Sequence, residues 1–241
     1  MRAPTVRSLQ VGSLARFWTR PSVLFAVVAC GVLLSFALDW LQAGAAMNLV
    51  ARERGAALFR LIELTRDWNA RHGGVYVPVQ GQTRPNPYLE HPRRDLTTRD
   101  GVELTMVNPA YMTREIGEIA QGADGLRLHI TSLKPINPGN AADPWEAAAL
   151  RQFENGIGEV VEFLGGDQPV HRYMAPLRVK QACLQCHMKQ DYVLGQVRGG
   201  VSITMPAAQL LAIRNADRIR SAALHVLTLC IAGALLHLLF R

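Results

Sequence analysis

The sequence predicts an α+β domain, a small antiparallel sheet with flanking helices, held between two transmembrane helices. Three observations predict it. Two uncharged apolar runs lie near the ends of the chain. Helical and strand periodicities alternate between them. A basic excess flanks the apolar runs and is absent from the middle.

The 241 residues are 49% apolar and 19% charged, enough for one compact domain plus membrane segments. Residues 1–20 form a basic leader with Arg2, Arg7, Arg16 and Arg20 and no acid. Residues 21–42 form a transmembrane helix or signal anchor. Their core, Pro21 to Leu38, is 18 residues without a charge, close to the ~20 that cross a bilayer. Ala43-Gly44-Ala45 would supply a cleavage site if the segment were a signal peptide. The second apolar run, Ser221 to Phe240, follows a membrane-proximal helix over 207–220. Cys30 and Cys230 lie inside the two runs and read as small apolar residues. The net charge is +7, yet residues 44–205 carry nearly equal numbers of acids and bases. That distribution suits lipid headgroups and not nucleic acid. The leading arginines favour a cytoplasmic N-terminus and a periplasmic domain on the inner membrane, over 43–206. Arg214, Arg218 and Arg220 fit this topology less well, since they would lie outside.

Within the domain, an apolar stripe from Met47 through Leu58 and Ile62 to Trp68 predicts a helix over 43–70, continuing out of the first span. "HGGV" at 72–75 ends it on glycine. "VYVPV" reads as a strand, and the proline-rich stretch 80–99 as a long loop. Asn108 caps a helix that starts at Pro109. "LRLHITSL" (126–133) alternates as a half-buried strand. Asp143 and Pro144 open a short helix to 156. Strands follow at 159–164, 171–179 and 199–205, and a helix leads from Pro206 to the second span. A cysteine-bearing loop therefore interrupts the last hairpin.

That loop carries "ACLQCH", with Cys183 and Cys186 three apart and His187 directly after. The spacing matches a c-type haem attachment site. Each thiol adds to one vinyl group of a rigid ring, and the adjacent imidazole ligates its iron from the proximal side. Zinc would need a fourth ligand, and a thioredoxin-like pair would need a βαβ setting. Chance is the remaining reading. One haem c, covalently held by Cys183 and Cys186 with His187 on the iron, is the expected cofactor.

The stretches RDWNARHGGVYVPV, NPAYMTRE, ITSLKPINP and RYMAPLRVKQACLQCH, followed by GGVSITMP, resemble a bacterial sensor-domain family long catalogued as a domain of unknown function. The resemblance covers about residues 45–206. It implies a PAS-like fold carrying a covalent c-type haem between two transmembrane helices, ahead of histidine kinases, methyl-accepting transducers or cyclases. It implies sensing of redox state or a small diatomic ligand. The sequence closes at Arg241 with no output domain behind the second apolar run. Action through a separate kinase, transducer or redox partner is therefore the expectation, and a homodimer is compatible with the long helices. The rival is a membrane-tethered electron carrier without signalling. No Ser/His/Asp set or carboxylate pair points to an enzyme.

The distal side of the iron has several candidates and no choice among them: Met47, His72, His91, Met106, Met112, His129, His171 and Met174. Arg172, Arg178 and Arg198 are candidates for pairing with haem propionates, and each also reads as a solvated strand residue. Tyr173 and Tyr192 are candidates for the ring edge, or for the core.

Overall fold

The structure is a computed structural model and describes residues 20–184 and 192–241. The chain divides into two units. One holds the N-terminal stretch through Met47 together with Leu210–Arg241, and the other is Asn48–Gln209.

The described residues of the first unit form two helices. Helix α1 runs unbroken over Pro21–Arg71 and supplies its N-terminal part to this unit. The last helix, α4, covers Ala208–Leu239. Each contains an 18-residue window long and apolar enough to cross a bilayer, and none of either window is buried in the protein. Polar contacts join the two helices. Ser221 donates to Asp39 Oδ2 at 2.8 Å, and His225 Nε2 lies 3.1 Å from Ser35 Oγ. The Arg218 guanidinium sits 4.0 Å over the Trp40 ring.

In the second unit, α1 ends on paired glycines, as predicted. Gly73 (φ 72) and Gly74 (φ 96) adopt the left-handed region. Their N–H groups donate to Ala70 O and Asn69 O at 3.1 and 3.0 Å, closing the helix end. Strand β1 (Val75–Pro78) then pairs antiparallel with β3 (Glu103–Val107), which also pairs with β2 (Asp95–Thr97). The stretch 80–99 is thus not all loop, and β3 was not foreseen. β2 has three exposed residues and no apolar pattern to read. Its anchor is polar: Thr105 donates to Asp95 Oδ1 at 2.7 Å.

Helix α2 (Pro109–Asp124) is capped by Asn108, which accepts the Tyr111 N–H at 2.9 Å. Strand β4 (Arg127–Thr131), helix α3 (Pro144–Glu154) and strands β5 (Val160–Leu164), β6 (Val170–Arg178) and β7 (Val197–Pro206) follow among the described residues. The second sheet has the order β4-β7-β6-β5, all antiparallel. Asp143 caps helix α3 as expected, and the cap is a full capping box, Asp143 accepting the Glu146 N–H and Glu146 the Asp143 N–H.

The central strands β6 and β7 of the four-stranded sheet are covered on both faces. Ala56, Phe59 and Ile62 of α1 pack on Tyr173, Ala175, Val201 and Ile203. Ala149, Leu150 and Phe153 of α3 pack on Met174 from the other side. The alternation Tyr173, Met174, Ala175 follows from side chains pointing to opposite faces along a strand. Gly55 lets α1 come this close, since a Cβ there would stand 2.5 Å from Tyr173.

Candidate functional site

The β6–β7 hairpin does not close on a tight turn. Past the ladder, Val179 N–H donates to Gln196 O and Gly195 N–H donates to Val179 O, both at 2.9 Å. These bonds clamp the base of the loop that carries the cysteine motif. A single 3-10 turn, Gln181–Cys183, leaves the clamp. In it Cys183 N–H donates to Lys180 O at 2.9 Å, and Lys180 N–H reaches Cys183 Sγ at 3.3 Å. Cys183 is half-buried. Lys180 Nζ pairs with Glu63 Oε1 at 3.0 Å, tying the loop to α1. Cys186 and His187 lie outside the described residues.

Cys183 stands in the wall of a cavity of about 510 Å³, within the usual range for small-molecule and cofactor sites. Its apolar lining includes Leu89, Met106, Ile130, Ile136, Leu177 and Val179. Its polar lining is rich in cations. Arg66, Arg114, Lys134, Arg178, Lys180 and Arg198 stand against Glu63, Asp67 and Glu90 among the described residues. An anionic, largely apolar ligand would find both kinds of partner here.

Arg66, which the sequence reading did not single out, is a part-buried cation of the cavity. Its Nη1 donates to Pro109 O at 2.9 Å and Thr113 Oγ1 at 3.1 Å. Part of its surface opens to the cavity, but protein atoms crowd the guanidinium. Burial pulls it down to about 10, with Cys183 and Glu63 opposing, so it keeps its charge at neutral pH. A signal was present: Arg66 follows the buried Ile62 by one turn and precedes the buried Asn69 by three residues. A charge on the inward stripe of a helix is exceptional unless it has a partner or a ligand.

Of the distal-ligand candidates, Met106 and His91 line the cavity. Met106 is buried at 2% exposure. The His91 Nδ1 accepts the Arg93 N–H at 3.2 Å. The other six lie elsewhere. Met47 belongs to the first unit. His72 bonds Trp68 O at 2.7 Å and its ring rests on Trp68. Met112 accepts from Asn69. Met174 is inside the α3 core. His171 is buried against Phe163, and burial lowers its pKa. His129 is held between the Glu146 carboxylate at 3.0 Å and Gly139 O at 3.1 Å.

The arginine candidates divide as well. Arg178 and Arg198 line the cavity. Arg172 does not: it pairs with Asp143 at 2.7 Å and Glu146 at 3.4 Å and lies 4.1 Å over Trp145. It is neither a cavity residue nor a solvated strand residue, because α3 covers that face of β6. Tyr192 lines the cavity, whereas Tyr173 is a core residue against Phe59.

Fold and site together define an α+β domain with a cavity beside the ends of β6 and β7. The chain belongs to the Tll0287-like family: the model of that family, described as Tll0287, matches residues 45–206. This is the span over which the sequence resembles a sensor-domain family. One solved structure, the cyanobacterial haem protein Tll0287, is similar at 22% identity and a TM-score of 0.32, covering 41% of this chain and 69% of that one. A comparison with curated proteins found no match.

Proposed function

We propose that this is a membrane-anchored periplasmic haem protein, with a c-type haem bonded through Cys183 and Cys186 and His187 as the proximal ligand. The observation that carries the reading is Cys183 in the wall of a 510 Å³ cavity with apolar sides and a cationic rim. The residues present fit the group, which is a flat apolar ring bearing two carboxylates. Leu89, Met106, Ile130, Leu177 and Val179 would exclude water from the ring. Arg66, Arg178 and Arg198 would hold negative charge, as guanidinium does for carboxylates. Family membership supports haem binding, because the related cyanobacterial Tll0287 is a haem protein.

When bound, the haem supplies a redox couple or a coordination position for a small ligand. The domain is a sensor of redox state or of a diatomic ligand that acts through a separate partner. This reading is supported by the way the cavity meets α1. Glu63, Arg66, Asp67 and Ala70 of that helix all line it. The Lys180–Glu63 pair joins the cysteine loop to the same helix. A change of charge in the cavity acts on Arg66 and through it on Pro109 and Thr113, at the start of α2. The sensor reading is tested by hydrogen exchange on oxidised and reduced protein. Sensing predicts altered protection over 179–196 and along α1 from 58 to 71. Protection that is the same in both states decides for the electron carrier.

A further inference from the structure

Helix α1 has one face that the domain uses and one that it leaves in water. Ala51, Ala56, Phe59, Ile62 and Asn69 are buried. The opposite face presents Val50, Arg54, Ala57, Leu61, Leu64 and Trp68, all exposed. Leu61, Leu64 and Trp68 keep 57%, 67% and 55% of their surface open. The His72 ring rests on Trp68, and all six side chains stay exposed. The intervals between these six residues are four, three, four, three and four. That is the heptad seam by which one helix packs its knobs into the holes of another. Arg54, Leu61 and Trp68 take the a positions, and Val50, Ala57 and Leu64 the d positions. The seam spans about 27 Å at the helical rise of 1.5 Å per residue.

We propose that this seam is the interface of a parallel dimer, occupied by the same face of α1 from a second copy of this chain. Two features favour a second copy over another protein. On the membrane-anchored reading proposed above, copies inserted with one topology enter their domains from the same side, which aligns their α1 helices parallel and in register. In parallel packing an a residue enters a hole whose rim includes the g residue before it on the other helix. The g residue beside Arg54 is Glu53, whose side chain is 59% exposed. Arg54 of each copy therefore meets Glu53 of the other, and the one charge in the seam is compensated. Ala57 allows close approach midway, and the leucines fill the two positions that follow it. The surface at the seam is apolar and stands open in the single chain, which water disfavours. This inference does not rest on the haem reading, since none of the six seam residues lines the cavity.

The test uses the full chain in lipid nanodiscs, with Cys30 and Cys230 replaced by alanine, and this background, which keeps Cys183 and Cys186, sets the baseline for crosslinking. Single cysteines are introduced at Ala57, Leu61 and Leu64, with exposed Arg52 and Ile119 as controls. Mild oxidation is expected to link the three seam variants into dimers several-fold more efficiently than the controls. Leu61→Glu combined with Leu64→Glu is expected to convert a dimer to a monomer by sedimentation. Its melting temperature at monomeric dilution should match the parent, because neither side chain supports the domain's own core. A parent protein that sediments as a monomer overturns the proposal. So do crosslinks with no preference for the seam, or crosslinks at the seam to a different protein in whole membranes.

Discussion

At the scale of single residues, two titratable groups separate the cavity from the structural frame. Arg66 faces the cavity, and its charge opposes loss of an electron from a group bound there. Replacing it by methionine should lower the midpoint potential, while lysine should retain most of the effect. The expected size is on the order of 1 kcal/mol for a partly screened charge, or on the order of 50 mV for a one-electron couple. Spectroelectrochemical titration checks it. His129 belongs to the frame. Both its ring nitrogens face acceptors, the Glu146 carboxylate and Gly139 O, so the imidazolium satisfies both. The hydrogen bond to Glu146 lifts its pKa above the usual value, against burial. Burial pushes Glu146 up, but the hydrogen bonds from His129 and the Asp143 N–H outweigh it and hold the carboxyl below its usual range. The His129 contribution is full below about pH 6.5 and is lost as pH rises through its folded value. The Glu146 contribution is full above about pH 4.3 and is lost as pH falls. The melting temperature should therefore peak between these limits. His129→Gln should flatten its alkaline side.

At the scale of elements, the site depends on how closely α1 lies on β6. Gly55 is the point of contact, with a Cβ there 2.5 Å from Tyr173. Gly55→Ala should destabilise the domain by ~1–3 kcal/mol through overpacking, read as a lower denaturant midpoint. A neutral result would contradict the packing. The elements that the sequence revealed are those with strong local chemistry. Asn108 and Asp143 each stood before a proline and became the caps expected of them. The Gly73-Gly74 pair ended α1 as expected. The three-residue strand β2 was hidden because polar contacts from Arg94 and Thr105 hold it, and apolar alternation does not. β3 was hidden because its alternation, Leu104 and Met106, is too short to stand out. The cavity itself could not be read. Arg66, Lys134 and Val179 are far apart along the chain, and only the long-range fold brings them to one wall. The same holds for Arg172, whose β6 position suggested solvent until α3 was seen to cover it.

At the scale of the whole molecule, the chain joins two apolar helices to a domain whose cavity shares residues with α1. The proposed role needs a covalent haem held at Cys183 and Cys186. The most direct measurement is the intact mass of the exported, matured protein, taken with its alkaline pyridine spectrum. The account predicts a mass increased by one haem that survives denaturation, and a spectrum of the two-thioether type. It also predicts that Cys183→Ser shifts the spectrum to the single-thioether type or abolishes it. A denatured chain at its bare polypeptide mass, after maturation that loads a control c-type cytochrome, would contradict it.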